Sequence, residues 1–187
     1  AVDPRVLLDA IMPLVSLQAR KLNVRVETRL QDGLPAVLCD RTMVEQVLLN
    51  LARNAMQAMD AAGTPAVHRL LLIQVRRAGA NMSAGEPNGK AWLEFSVADH
   101  GPGVPAGSEG RLFEKFYRAT QGGGGRGTGL GLAICRAIVT AHEGEISVRN
   151  RDGGGAQFTV RLPIYGIMGT PPSIPLDASA SGEEAIA

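Results

Sequence analysis

The first half of the chain alternates apolar and polar positions with the periods of a helix, a strand and a second helix. Apolar residues recur at helical spacing over 7–19, after an Asp-Pro pair that suits an N-cap and a first helical position; a proline among them predicts a kink. Residues 24–30 alternate apolar with charged side chains, which predicts a half-buried strand. Asp40 suits the cap of a helix that runs to about residue 59 with one apolar face.

The second half predicts strands first and a helix later. In chain order, the predicted elements are strands at 70–75 and 92–98, a helix at about 128–142 and a final hairpin of 146–149 and 157–162. Residues 78–90 read as a long hairpin tip, and glycine is frequent over 101–131. Helices do not alternate regularly with strands, which argues against a doubly wound parallel sheet. We therefore expect an α/β (α+β) fold in which helices cover one face of a mixed sheet.

Length and composition favour one domain of ordinary size. The chain has 187 residues, and we place the domain at 1–164 and a disordered tail, rich in Pro, Ser, Gly and Ala, at 165–187. Apolar residues make up 45% and aromatic residues 4%, so the core must consist of Leu, Val, Ile and Ala. A net charge of +1 gives no electrostatic case for nucleic-acid binding.

Nothing in the sequence predicts a membrane span, a signal peptide, a disulfide framework or a zinc site. The two cysteines lie far apart, and no apolar run approaches the length of a membrane helix. We expect a reduced, cytoplasmic domain without direct membrane contact. The start at Ala1 predicts a fragment of a longer protein, whose anchor or sensor would lie elsewhere.

A polar row runs along the second predicted helix. Asn50 and Asn54 are four residues apart and share one face, which Gln57 extends by a turn. They are either solvated amides or neutral oxygen ligands for a hard cation. Mg²⁺ held chiefly by substrate phosphates needs only one or two such oxygens.

A carboxylate followed by two glycines comes directly after the predicted strand 92–98. Asp99 could accept a hydrogen bond from an exocyclic amine such as that of adenine. Gly101 and Gly103 would let a flat ring approach the backbone. Taken alone, the segment is equally compatible with a turn.

A third pattern opens the helix predicted at about 128–142, and its residues are Gly127, Thr128, Gly129, Leu130, Gly131 and Leu132. Backbone N–H groups of a glycine loop and a helix N-terminus form an anion site suited to phosphates. The dinucleotide-binding motif is excluded because it needs glycine where Leu132 stands. The P-loop is excluded because Ala91 follows the Gly89-Lys90 pair.

Between these two glycine segments lies an aromatic cluster followed by more glycine. Phe113 and Phe116 could hold a short helix against the core. Arg118 and Arg126 flank a glycine run at 122–125, which predicts a mobile lid with a cation at each end, able to close over phosphates.

The order and spacing of these four patterns resemble the catalytic ATP-binding domain of bacterial sensor histidine kinases. The resemblance covers about residues 2–163, and residues 40–59 look most like the nitrogen-regulation, oxygen-sensing and dicarboxylate-sensing kinases. The wider superfamily includes gyrase, the mismatch-repair clamp MutL and a class of heat-shock chaperones. It implies the Bergerat ATP-binding fold, a two-layer sandwich whose mixed, mostly antiparallel sheet of about five strands carries three main helices on one face.

The resemblance also implies roles for individual residues. Asn54 matches the asparagine that coordinates Mg²⁺, with Asn50 as its companion, and Asp99 matches the aspartate that binds the adenine amino group. Arg118 matches an arginine near the γ-phosphate. The remaining nucleotide contacts are expected beside the base at Gly101 and Gly103, and around the phosphates at Arg126, Gly127, Thr128, Gly129, Leu130, Gly131 and Leu132.

The implied function is to bind Mg-ATP and donate its γ-phosphoryl group to a histidine on a dimerisation domain that this fragment lacks. His68 and His100 lack an acceptor-like context, and His142-Glu143 mimics the acceptor dipeptide but lies after the predicted phosphate-site helix. We therefore expect inefficient self-phosphorylation. The expected partners are the protein's own phosphoacceptor domain and a response regulator. We expect a monomeric fragment of a homodimeric parent.

Three other functions are possible for a domain of this superfamily. One is a serine kinase and binding module like the anti-sigma-factor kinases. Another is an ATP-driven clamp, but such clamps use a glutamate one turn before the magnesium asparagine, where this chain has Asn50. A domain that binds no nucleotide is the third, and the presence of Asn54, Asp99 and the three glycines argues against it.

Overall fold

In the part of the chain that the structure describes, three α-helices lie on one face of a five-stranded sheet. The structure, a computed structural model, describes residues 1–79, 91–115, 117 and 129–164. In chain order the elements are α1 (Pro4–Lys21), β1 (Arg25–Leu30), α2 (Arg41–Ala61), β2 (Leu70–Ala78), β3 (Ala91–Ala98), α3 (Gly131–Ala141), β4 (Glu145–Asn150) and β5 (Ala156–Ile164). Single-turn 3₁₀ helices occupy Ala66–His68 and Arg111–Phe113. The predicted fold class and element order are confirmed.

Element boundaries differ most from the prediction near glycine-rich segments. β2 continues to Ala78, where the hairpin tip was expected to begin, and residues 80–90 lie outside the described residues. α3 begins at Gly131 rather than near Thr128, and Thr128 is itself outside the described residues. The predicted tail, 165–187, is also outside them. Within the described part of the chain, no helix is long and apolar enough to cross a membrane.

The sheet is mixed, with the strand order β1-β2-β3-β5-β4. β1 and β2 are parallel, and α2 makes the crossover between them. The other three pairings are antiparallel, and β4 and β5 form a hairpin at the C-terminal edge. As a result, the end of β3 lies beside the start of β5, with Ala98 paired with Gln157.

Aspartate caps begin the first two helices. Asp3 accepts a hydrogen bond from the Arg5 N–H at 2.8 Å, and Asp40 accepts one from the Met43 N–H at 3.0 Å. α1 runs unbroken through Pro13, which is exposed; a kink at this proline stays a prediction. The two helices therefore start where their caps predict.

His142 joins the end of α3 to the start of α2. Its Nδ1 lies 2.7 Å from the Ile138 carbonyl oxygen, and its Nε2 lies 2.9 Å from the Asp40 backbone nitrogen. Because the Asp40 N–H can only donate, Nε2 is the acceptor and Nδ1 carries the proton. Both ring nitrogens are thus occupied by the fold, which accounts for this histidine without a role as phosphoryl acceptor.

The core is aliphatic, as the composition predicts. α2 lies at its centre and packs against β2 and β3, with α1 and α3 on its two sides. The strands contribute alternate residues, which is the period of a sheet with one covered face. The most deeply buried apolar strand residues are Leu71, Ile73, Val75, Leu93, Phe95, Val97, Val160 and Leu162.

The uncovered face of the sheet contains a buried charge. Leu93 and Phe95 point into the core, so Glu94 between them points to the opposite face, yet it is only 2% exposed. Arg76 donates two hydrogen bonds to its Oε1, at 2.6 and 2.8 Å, and Arg161 donates one to its Oε2 at 3.0 Å. Burial opposes ionisation, but these two arginines hold the pKa of the Glu94 carboxyl below its usual value.

We predict that Glu94→Gln lowers the free energy of unfolding by about 1–2 kcal/mol at neutral pH, because it removes charge-assisted bonds to both arginines. A lowered pKa gives stability that is present above the unfolded-state pKa and is lost as the pH falls through the folded-state pKa. Urea unfolding from neutral pH to about pH 3 should therefore show the two proteins converging. Glu27→Gln, on a glutamate of β1 whose side chain is 38% exposed, is the control. A constant difference across this range would contradict the assignment.

Candidate functional site

Asp99 stands at the end of β3 with its carboxylate buried and oriented by the backbone. It is 2% exposed. Its Oδ1 accepts hydrogen bonds from the Gly101 N–H at 2.8 Å and the Ala156 N–H at 3.2 Å. Both of these bonds go to the same oxygen. Among the described residues no donor is bonded to Oδ2, so this oxygen can accept a hydrogen bond from a ligand.

The charge on Asp99 is costly to the folded protein. Burial raises the pKa of the Asp99 carboxyl above its usual value, although the N–H groups of Gly101 and Ala156 and the charges of Arg151 and His100 act in the opposite direction. A buried carboxylate that lacks enough donors gains most from a ligand that supplies another one. The environment of Asp99 therefore suits an amine or amide donor.

The two glycines after Asp99 are needed by the protein's own packing. Gly103 has φ +78°, and a Cβ on it would lie 2.6 Å from Oδ1 of Asn150. A Cβ on Gly101 would lie 3.0 Å from Oδ1 of Asp99 and 3.5 Å from Cγ of Met59. The loop after β3 therefore lies directly against the last turn of α2.

Asn50 connects the middle of α2 to the start of α3. Its Nδ2 donates a hydrogen bond to Sγ of Cys135 at 3.2 Å. A Cβ on Gly131 would lie 2.8 Å from the same Nδ2, so glycine at this position lets the two helices approach each other. Burial raises the pKa of the Cys135 thiol, although the Asn50 bond opposes this; the sulfur therefore stays a neutral thiol.

Asn54 lies one turn further along α2 and is half-buried. In contrast to Asn50, its side chain has no hydrogen-bond partner within the described part of the chain. The described residues also contain no group of three or more His, Cys, Asp or Glu that could hold a metal ion. A single amide oxygen suits a cation that arrives already bound to the phosphates of a ligand.

The start of α3 lacks the side-chain cap that α1 and α2 have. Leu130 occupies the N-cap position and makes no side-chain cap bond, and Gly129 before it has φ +71°. The first N–H to bond within the helix is that of Ile134, to the Leu130 carbonyl at 2.9 Å. The N–H groups of Gly131 and Leu132 are therefore available to an anion at the positive end of the helix.

α2 spans the distance between these two regions. Met59 lies against the loop after Asp99, and Asn50 lies against Gly131 at the start of α3. The nine residue steps from Asn50 to Met59 correspond to about 13 Å along a helix axis. An extended nucleoside triphosphate is of comparable length, and Asn54 lies between the two ends.

Several predicted site residues cannot be placed. Arg118, Arg126, Gly127 and Thr128, together with the glycine run of the expected lid, lie outside the described residues. Phe113 from the preceding aromatic cluster is buried and meets Phe158 edge-to-face, with ring centroids 6.3 Å apart. For Phe113 this agrees with the expected packing against the core; Phe116 is outside the described residues.

A groove of about 600 Å³ lies between α1, α2 and α3, beside the candidate site. It contains Asn50 and Gly131 but neither Asn54 nor Asp99. Its walls include the exposed apolar side chains of Leu14, Leu17 and Ile134. The groove therefore borders the α3 end of the site and does not reach the Asp99 end.

The sequence predicts the turn of the β4–β5 hairpin, taken here with its flanking residues as 150–156, but not that this turn contacts Asp99. Ala156 bonds to Asp99, and Asn150 and Arg151 contact the loop that follows it. The glycine run 153–155 predicted a turn, but no local signal connects it with a residue more than fifty positions earlier. Gly155 is packed so tightly that a Cβ would overlap the Asp99 carbonyl oxygen.

A five-stranded mixed sheet with α2 and α3 framing such a site defines the Bergerat class of ATP-binding domains. Residues 39–166 match the family described as Histidine kinase-, DNA gyrase B-, and HSP90-like ATPase, and the chain belongs to this family. Within this family, similarity to sensor kinases identifies the chain as a catalytic ATP-binding domain of the histidine kinase type.

The similar proteins include two curated sensor kinases. The adaptive-response sensory kinase SasA of Nostoc sp. is 34% identical over 141 residues, which are 75% of this chain and 31% of that protein. The C4-dicarboxylate transport sensor protein DctS of Rhodobacter capsulatus is 34% identical over 164 residues, 88% of this chain and 22% of that protein. The chain thus spans a third or less of the length of these relatives.

A solved structure shows the same fold. The crystal structure of full-length ShkA in complex with AMPPNP superimposes with a TM-score of 0.66 at 30% identity. The match covers 87% of this chain and 30% of ShkA.

We predict that Gly155→Ala damages both the fold and the site, because the new Cβ would meet the backbone of Asp99 and lie 3.0 Å from the His100 Cα. Gly153→Ala is the matched control: its φ of +88° resembles the +90° of Gly155, but nothing lies within 4 Å of its Cβ position. The control should cost about 1 kcal/mol of unfolding free energy. Gly155→Ala should cost on the order of 3 kcal/mol more. Equal losses in denaturant unfolding would show that close approach at Gly155 is unimportant.

Proposed function

We propose that this domain binds Mg-ATP and donates the γ-phosphoryl group to a histidine on a separate dimerisation domain, as part of two-component signal transduction. The observation that carries the proposal is the arrangement along α2. A buried carboxylate, one oxygen of which has no donor among the described residues, lies near the last turn of α2. The uncapped N-terminus of α3 lies beside Asn50, about 13 Å back along the axis of α2. These are the acceptor and the anion site that an adenine nucleotide requires.

In this proposal, Asp99 recognises the base. The amino group of adenine donates to Oδ2, since Oδ1 is occupied by the backbone. Gly101 and Gly103 keep the loop narrow, so that the ring can lie against the backbone beside Met59. Guanine has a carbonyl oxygen where adenine has its amino group, so the same carboxylate would repel it.

The phosphates lie towards α3. Gly129, Leu130, Gly131 and Leu132 supply backbone N–H groups and the positive end of the helix dipole. We extend this assignment to Gly127, Thr128, Arg118 and Arg126, which lie outside the described residues, on the basis of sequence. Asn54 would contribute its amide oxygen to Mg²⁺, and the cation would neutralise charge on the phosphates.

Phosphoryl transfer of this kind depends mainly on positioning. An imidazole nitrogen of the acceptor forms a bond to the γ-phosphorus as the bond to the ADP oxygen breaks, and this chain holds the donor in place. His142 is an unsuitable acceptor because both its ring nitrogens are bonded. The acceptor would therefore come from a dimerisation domain, and a response regulator would receive the group next.

The remaining expectations belong to the same proposal. The domain comprises residues 1–164 and is monomeric alone, whereas the parent protein is a homodimer. It works in the cytoplasm, where ATP is available. The similarity to named sensor kinases favours this function over the serine kinase module related to anti-sigma-factor kinases.

The most direct test is Asp99→Asn with calorimetric titration of ADP. Because Oδ1 accepts both backbone N–H groups, an asparagine would point its NH₂ at the adenine amino group, donor against donor. We expect affinity to fall by about tenfold to a hundredfold. An unchanged affinity would remove Asp99 from the base site.

The same variant should not destabilise the free domain. A raised pKa means that the folded protein loses stability, relative to the unfolded chain, as the pH rises through the folded-state pKa of Asp99. Removing the charge should therefore leave the unfolding free energy at neutral pH equal or higher. Thermal unfolding checks this and separates lost binding from lost structure.

We predict that Asn54→Ala weakens ADP binding only when Mg²⁺ is present, because its amide oxygen acts through the cation. Titrations with Mg²⁺ and with a chelator should differ for the wild type and agree for the variant. Gln57→Ala, on an exposed residue one turn away, is the control and should retain the Mg²⁺ effect. Preserved Mg²⁺ dependence in Asn54→Ala would contradict the assignment.

A further inference from the structure

The turn between β4 and β5 holds the backbone of Asp99 through the side chain of Arg151. Nη1 of Arg151 donates a hydrogen bond to the Asp99 carbonyl oxygen at 2.6 Å. The same Nη1 lies 3.3 and 3.4 Å from the two ring nitrogens of His100. Arg151 is half-buried, so water competes only partly for its guanidinium group.

Asp99 is bonded to this turn at three separate atoms. Its N–H donates to the Ala156 carbonyl at 2.9 Å, its Oδ1 accepts from the Ala156 N–H, and its carbonyl accepts from Arg151. Fixing the backbone on both sides of the Cα fixes the direction of the Cα–Cβ bond, and the bonds to Oδ1 then orient the carboxylate. The direction in which Oδ2 points therefore depends on the turn as much as on β3.

The loop after Asp99 is held by the same turn. The Asn150 side chain accepts a hydrogen bond from the Val104 N–H at 2.8 Å and donates one to the Val104 carbonyl at 2.9 Å. This two-point bond copies the pairing of a neighbouring strand. Asn150 thus fixes the far end of the loop, whereas Arg151 fixes the end that bears the carboxylate.

We infer that Arg151 is a positioning residue that sets the preference of the site for adenine over guanine, a role that rests on the function proposed above. Adenine and guanine differ in the group that faces the carboxylate, and a carboxylate distinguishes them only if its free oxygen is held in one place. Losing the bond at the carbonyl lets the Asp99 peptide rotate. A carboxylate that can move is repelled less by the guanine carbonyl oxygen. It also forms a weaker hydrogen bond with the adenine amino group.

The test compares binding of ADP and GDP by calorimetry in the wild type and in Arg151→Met, which keeps the aliphatic stem but removes the donors. We expect the ratio of the two affinities to fall by about tenfold, mainly through weaker ADP binding. R151K, which keeps one charged donor, should recover part of the ratio. R149M is the matched control, since Arg149 is exposed two residues away and bonds to Gln157 instead.

The affinity ratio separates positioning from general damage to the fold. A less stable but otherwise intact site would lose ADP and GDP affinity by the same factor, and this result would overturn the inference. An unchanged ratio in R151M would also overturn it. If unfolding curves show that R151M does not fold, R151Q carries the same comparison with an expected fall of about threefold. A wild-type chain that binds neither nucleotide would overturn the proposed function itself, and this inference with it.

Discussion

The burial of α2 between the sheet and two other helices is the constraint on which the site depends. The face that carries Val47, Leu51 and Ala55 is buried, and α1 and α3 pack along its sides. A helix held on three sides cannot tilt without opening the core. Its narrow polar edge carries Asn50 and Asn54. Because α2 is held rigidly, it keeps the Asp99 end and the α3 end of the candidate site at a constant separation. Chemistry that relies on position more than on reactive side chains needs such a support.

The sequence predicts helices and strands well where the hydrophobic periodicity is strong. It predicts contacts poorly where the contacting residues are far apart in the chain. Alternation identified the strands, and Asp40 located the start of α2. Alternation could not show that β1 and β2 are parallel, or that Glu94 is buried under arginines from both neighbouring strands, because these contacts arise only from strand order. In the same way, glycine spacing indicated a phosphate site at Gly131, but the need for glycine beside Asn50 is visible only after α2 and α3 pack.

The candidate site also shows where stability and function compete. Glu94 and Asp99 are both buried carboxyl groups on β3 or directly after it, but their pKa values shift in opposite directions. Two guanidinium groups satisfy Glu94, so it supports the sheet. Asp99 has two backbone donors on one oxygen, and the part of the chain that the structure describes offers no partner of that strength to the other. The protein thus keeps a carboxylate that lowers its stability at a place where a ligand can offset the loss. This is common for residues selected for binding.

The bonds from the β4–β5 hairpin to Asp99 also have a consequence for the time at which the site forms during synthesis. The carboxylate of Asp99 is held by an N–H two residues later and by another 57 residues later, on the last hairpin of the sheet. During synthesis from the N-terminus, the segment proposed to recognise the base exists long before the turn that shapes it. Nucleotide can then bind well only after the whole domain has left the ribosome, and its binding favours the completed chain by mass action. A bound nucleotide therefore stabilises the complete domain but not a chain that ends before this hairpin.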